Sequence, residues 1–296
     1  INGVFYDKVT DADGMAKLGI RLRPDVYILT AYNDITGEEK GFDVTVKSLI
    51  AANDLTKYYM NASRFEATIY NKDGTLAINK NVTFNINGVF YHKTTDENGV
   101  VSLGISLRPG EYIITTIFDG LSMGNKVTVL PTLVTHDLTM KYMDGSRFTV
   151  QTLDGQGKAL SNQKVSFNVN GVFYYRTTDS NGIADLLIRL MPGEYIITTM
   201  FDGLAIGNKV SVLPTLVTKN LNMKYLDGSS FTAQTLDGQG KPLANQNVSF
   251  NVNGVFYHRT TDENGMASLH IRLNPGKYII TSIWNEYQIG NNITIA

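Results

Sequence analysis

The chain has 296 residues, with 26 Lys and Arg against 27 Asp and Glu for a formal net charge of -1, and 43% of it is apolar. No run of clustered basic residues occurs, so the electrostatic footprint of a nucleic-acid or anionic-membrane binder is excluded. The absence of cysteine excludes disulfides, thiolate zinc sites and cysteine nucleophiles, and no apolar run is long enough to span a bilayer as a helix.

A charged fraction of 18% with 27 Gly and 16 Tyr favours many turns and aromatic-bearing strands, which points to an all-β fold. The opening piece starts at Ile1-Asn2-Gly3-Val4, and the Asn-Gly pair returns in the same context at Asn87-Gly88, Asn170-Gly171 and Asn253-Gly254. The repeat length is about 83 residues, too long for a solenoid unit and long enough for a domain with its own core. Three complete copies span 49–131, 132–214 and 215–296. The piece 1–48 matches only the second part of a copy and lacks the equivalents of Phe148 to Leu153 and Val165 to Asn168. It reads either as a truncated copy or as one that a strand from another chain completes, the basis of self-association through the first repeat.

The connector Leu130-Pro131-Thr132-Leu133 leads into the copy 132–214 and Leu213-Pro214-Thr215-Leu216 leads out of it, both short and fixed by proline. Phe148 to Leu153 reads as a strand, and Lys164 to Val169 alternates polar and apolar before Asn170-Gly171 turns the chain into Val172 to Arg176. Asn-Gly tolerates the positive φ values of a type I′ turn, so this is a hairpin pairing Val169 with Val172 and Phe167 with Tyr174. One aromatic set of its second strand is expected to face the core and the other solvent. The turn Thr177 to Gly182 leads to a return strand Ile183 to Leu190, read as a second hairpin, and Pro192-Gly193 opens Glu194 to Thr199. Asp202-Gly203 turns into Asn208 to Val212, for six or seven strands in a two-sheet sandwich.

The order LDGQGKPLANQNVSF, TTDENGMASL and RLNPGKYIIT resembles the tandem Ig-like repeats of adhesin-like cell-surface proteins of methanogenic archaea, and more distantly the Cna-B-type and bacterial Ig-like stalk domains. The likeness runs along the whole chain. It implies tandem Ig-like β-sandwiches in a linear array, placed outside the cell at its surface or wall. It also implies a non-enzymatic stalk or adhesin that presents a distal binding region to a protein or glycan of another cell, with no cofactor. Lys-Asn isopeptide bonds occur in the Cna-B relatives, and Lys141 and Lys224 with Asn208 and Asn291 are the nominal pairs here, although Tyr58 stands where Lys141 would in the first complete copy.

The candidate site residues follow from variation among the copies. The position after the shared Phe-Tyr varies as Asp7, His92, Tyr175 and His258, which marks an exposed face. Phe118, Phe201 and Trp284 head a turn that serves either as a contact tip or as packing. The possible contact residues are therefore Phe118, Tyr175, Phe201, His258 and Trp284. Asn61, Asn81, Asn247 and Asn292 open glycosylation sequons. The Asp96, Asp179 and Asp262 turns are too short for a calcium loop and read as structural. His92, His136, His258 and His270 form no ligand pair, and no Gly-x-Ser-x-Gly elbow exists. No catalytic or metal site is assigned, and the copies are read as too small to leave an enzyme-sized pocket.

Overall fold

The computed structural model describes residues 1–296, all of it strand, turn or extended chain with no helix. It divides into two units, Ile1–Pro131 and Thr132–Ala296. In the first unit, residues 1–24 carry turns but no strand, and β1 (Asp25–Asn33) and β2 (Glu38–Val46) form an isolated antiparallel hairpin. Then follow β3 (Ile50–Ala52), β4 (Leu55–Tyr58), β5 (Arg64–Ile69), β6 (Asn81–Ile86), β7 (Val89–Thr94), β8 (Val100–Gly104), β9 (Gly110–Phe118) and β10 (Leu121–Leu130). These make a three-stranded sheet, β3-β5-β8, and a five-stranded sheet, β4-β10-β9-β6-β7.

The second unit repeats that pattern twice. Its first sandwich contains β11 (Leu133–Thr135), β12 (Leu138–Lys141), β13 (Arg147–Thr152), β14 (Lys164–Val169), β15 (Val172–Thr177), β16 (Ile183–Leu187), β17 (Gly193–Phe201) and β18 (Leu204–Leu213). The next contains β19 (Leu216–Thr218), β20 (Leu221–Met223), β21 (Ser230–Thr235), β22 (Asn247–Val252), β23 (Val255–Thr260), β24 (Met266–His270), β25 (Gly276–Trp284) and β26 (Tyr287–Ile295). The fold is a tandem of Ig-like β-sandwiches.

Each sandwich closes over a core set by period-two burial. Along β14, Val165, Phe167 and Val169 are buried and their neighbours are not, so one face of the sheet is apolar. Phe167 meets Phe148 of the opposite sheet edge to face, with ring centroids 6.1 Å apart, and Phe65–Phe84 and Phe231–Phe250 repeat the contact at 5.8 Å. Such a pair contributes about 0.5–1.5 kcal/mol beyond its burial. In the three complete copies the Asn-Gly hairpins form as the sequence predicts, with φ of 50° at Asn170 and 84° at Gly171 and with Phe167 opposite Tyr174, whereas Asn2-Gly3 turns a segment that has no strand.

A second local device is a tyrosine corner, the Ig-fold feature in which a tyrosine near the start of a strand reaches back to the chain just upstream. Tyr112, Tyr195 and Tyr278 donate their hydroxyls to the carbonyls of Arg108, Met191 and Asn274 at 2.8, 2.9 and 3.0 Å. Tyr27 does the same to Arg23 at 2.8 Å, so the corner forms even beside the isolated hairpin.

Three expectations are corrected. Each sandwich has eight strands rather than six or seven, because part of what reads as connector is structure: Leu133 is buried in β11 and Leu130 ends β10. The turn 177–182 does not close a second hairpin. It carries the chain from β15 to β16, which pairs with β13 in the other sheet, and the return strand stops at Leu187. Neither face of β15 is core, since every residue from Val172 to Thr177 is exposed. The reason is topological. β14 is already paired with β17 on its other side, so β15 is the sheet's last strand, with no further strand paired beyond it.

Candidate functional site

Every residue of the aromatic edge strands β7, β15 and β23 is exposed. In β15 the type I′ turn fixes the register with β14, leaving Phe173, Tyr175 and Thr177 with their backbone groups directed away from the sheet. Tyr175 is 55% exposed, and Lys164 Nζ stands 4.4 Å from its ring centroid. The Tyr175 carbonyl accepts from Arg176 Nη1 at 2.8 Å, and the His258 carbonyl accepts from Arg259 Nη1 at 2.7 Å. Two of the three edges thus carry an arginine folded over an outward carbonyl. The His258 and His92 rings each pair through Nδ1 with a hydroxyl, of Ser249 at 2.8 Å and of Thr83 at 3.0 Å.

The other candidates are placed differently. Phe118 and Trp284 are half-buried and pack against the cores of their sandwiches, and Phe201 is half-buried at the equivalent turn. Asn81, Asn247 and Asn292 are exposed. Asn61 is half-buried, and its Oδ1 accepts the Ser63 amide at 2.7 Å. In the Asp turns, one carboxylate oxygen is occupied locally: Asp179 Oδ1 accepts the amides of Asn181 and Ile183 at 2.8 and 2.9 Å. Lys141 does not reach Asn208. Its Nζ donates to the Gln239 carbonyl at 3.3 Å, while Asn208 Nδ2 donates to Asp137 at 3.3 Å. Asn291 likewise donates to Asn220.

The first unit has an open groove of about 620 Å³ beside β3 and β5, lined by Asp54, Arg64, Glu66 and Met123 among others, so room for a pocket exists where the sequence suggests little. Two of its charged groups, Asp54 and Arg64, are engaged internally. Asp54 Oδ1 accepts the Lys126 amide at 2.8 Å, and Arg64 Nε donates to Ser102 Oγ at 2.9 Å.

Two features escape the sequence reading. Lys57 is only 6% exposed, and its ammonium donates to the carbonyls of Ile105 and Ser63 at 2.8 and 3.2 Å. Burial lowers its pKa below the ordinary lysine value. The other feature is a packed joint inside the second unit. There Tyr142, 7% exposed, meets Tyr287 with ring centroids 6.2 Å apart, and burial raises the Tyr287 phenol. The glycine loop Asp237 to Gly240 lies against Lys141 to Asp144 so closely that a Cβ on Gly238 would fall 2.3 Å from the Asp144 Cα. The sequence signal is the Asp-Gly-Gln-Gly string, which alone reads as a turn.

No protein-family model matches the chain, and no curated protein does. Among solved structures, the I9–I11 tandem of titin is similar at 15% identity over 83% of this chain and 99% of that one, with a TM-score of 0.31. Invasin, described as a bacterial integrin-binding protein, is similar at 17% identity over 83% of this chain and 59% of its own, with a TM-score of 0.26. A Ca2+-stabilised adhesin of an Antarctic bacterium is similar at 14% identity over 92% and 81%, with a TM-score of 0.19. At these values the likeness says nothing of what the chain binds.

Proposed function

We propose that the chain is a non-enzymatic segment of a cell-surface protein, in which the modules 49–131, 132–214 and 215–296, after the partial module 1–48, act in series as a spacer holding a distal binding region away from the cell. The observation that carries this reading is the packed joint of the second unit. A Gly/Ser tether would leave neighbouring modules free to tumble. Here only Pro214 and Thr215 separate β18 from β19, and the rings of Tyr142 and Tyr287 with Gly238 occupy the contact. An extracellular setting suits the resemblance to adhesin-like surface repeats, and exposed Asn81, Asn247 and Asn292 would accept glycans there. Small-angle scattering of the whole chain tests the spacer: with strands rising about 3.3 Å per residue, a maximum dimension of roughly 100 Å or more is expected. A compact globule defeats it.

A second reading is favoured by the exposed strands. The edges β7, β15 and β23 offer exposed aromatic rings to a glycan or protein of another cell. The isolated hairpin β1–β2 leaves Val26, Ile28 and Phe42 exposed for a strand donated by another chain, as in a filament. Loss of glycan-array signal in Tyr175→Ala supports the former, and oligomers that vanish when residues 1–48 are removed support the latter.

A further inference from the structure

The joint between β18 and β19 has two sides, and the chain carries one of them a second time. On the receiving side stand Lys141, Tyr142 and Asp144, at the end of β12. Asp144 shapes the turn, accepting the Lys141 amide at 2.9 Å through Oδ2 and the Ser146 amide at 2.7 Å through Oδ1. Tyr142 is anchored where the last strand leaves, its amide donating to the Leu213 carbonyl at 2.9 Å. Met143 takes a φ of 64° to bring the ring and the carboxylate onto one surface.

The far pole of the last sandwich reproduces this detail for detail. Asp227 accepts the amides of Lys224 and Ser229 at 2.7 and 2.8 Å through the same two oxygens. The Tyr225 amide donates to the Ala296 carbonyl at 2.9 Å, and Leu226 takes a φ of 56°. The difference lies in what covers the ring. Tyr142 is 7% exposed beneath Tyr287 and the glycine loop, whereas Tyr225 is 48% exposed.

We infer that Lys224, Tyr225 and Asp227 form a docking surface for one further sandwich of this kind, engaged through its Asp-Gly-Gln-Gly loop and the side chain matching Tyr287. The inference rests on the serial-module reading above and deepens it by assigning the partner of this pole. Its chemistry is specific. The lysine donates to a loop carbonyl, as Lys141 does to Gln239 at 3.3 Å, and the tyrosine takes a ring in tilted contact. The backbone beside the aspartate approaches the loop closely enough that only glycine fits at its second position. A loop without glycine at that position is rejected sterically, so the surface selects copies carrying the motif over unrelated sandwiches.

The test uses the full chain with a duplicate of residues 214–296 joined to Ala296, which stands where Leu213 does before Pro214, and the duplicate carries Tyr225→Phe so that the peptide holding the original Tyr225 differs in mass from its copy. Tyrosine labelling by hydroxyl radicals, read by peptide mass spectrometry, reports each ring. Labelling of Tyr225 should fall about sevenfold, the ratio of 48% to 7% exposure, to the level of Tyr142. Gly238→Ala made in the duplicate only should restore it, because Gly238 does not need a left-handed backbone and the added methyl meets only the neighbouring turn. Tyr225 labelled as strongly with the duplicate as without, while Tyr142 stays protected, overturns the docking surface and leaves the spacer intact. If Tyr142 in the native chain labels as fast as Tyr225, the packed joint itself is absent and both readings fall.

Discussion

Lys57 occupies the place that Met140 and Met223 hold in the two sandwiches of the second unit, and it puts a charge where they put a thioether. Two carbonyls satisfy part of the ammonium, but no carboxylate is among its bonded partners. Its pKa is lowered by burial, so at pH values between the lowered value and the ordinary one the unfolded chain binds more protons and stability rises with pH. Below that window the cost of the buried charge is constant. Lys57→Met should therefore stabilise the sandwich 50–130 at pH 7 by about 1–2 kcal/mol, with an advantage that shrinks as pH climbs towards 10. Hydrogen exchange of β4 and β10 at the two pH values checks both parts, and equal protection in mutant and parent contradicts them. Glu286 is a second local misfit. It sits at φ 65° where Asp119-Gly120 and Asp202-Gly203 have glycine, and Glu286→Gly should raise stability of the last sandwich by about 0.5–1 kcal/mol in a denaturant titration.

At the scale of elements, the tyrosine corner and the guarded edge make separate predictions. Tyr195→Phe deletes the bond to the Met191 carbonyl and should cost about 1 kcal/mol, with the β17–β18 hairpin exchanging faster and the rest of the sandwich following. Arg176 and Arg259 cover outward carbonyls on their edges, whereas β7 has Lys93 at that position. Arg176→Ala with Arg259→Ala should raise concentration-dependent association several-fold in light scattering, because an uncovered edge is a template for pairing. A double variant as monomeric as its parent would falsify the guard. Much at this scale was legible beforehand. Asn-Gly announces its own turn, and the period-two run Val165, Phe167, Val169 announces its buried face. What the residues concealed was pairing at a distance. Leu133 to Thr135 is too short for a periodic signal, and Thr177 to Gly182 makes the same local turn whether the next strand pairs back or crosses to the other sheet. Exposure of Val172 to Tyr175 depended on the neighbour β14 already had. For the candidate site the same holds: Tyr175 and His258 could be marked as exposed from their variation, but nothing local says that Gly238 faces Asp144.

At the scale of the whole molecule, the buried clusters of residues 50–129 and 216–295 share no member, so damage in one should stay there. Phe84→Ala opens a cavity opposite Phe65 and should cost about 3–5 kcal/mol, unfolding that sandwich while amides of β22, β25 and β26 keep their protection. Uniform loss of protection along the chain would contradict separate cores, and with separate cores a single unfolding temperature would be a misleading summary of the whole chain.

The pairing of the short second strand of each sandwich with its last strand bears on a different property. Leu138 to Lys141 runs parallel to Val210 to Leu213, as Leu55 to Tyr58 does to Val127 to Leu130, so the strand near the entrance of a sandwich and the one at its exit point the same way. Tension applied through the chain pulls two such neighbours lengthwise in opposite senses, loading their ladder in shear instead of unzipping it rung by rung. Resistance to mechanical rupture is thereby concentrated in four residue pairs in each of the first two sandwiches and three in the last, and Thr139→Pro should lower the force at which its sandwich extends in single-molecule pulling more than it lowers its resistance to denaturant.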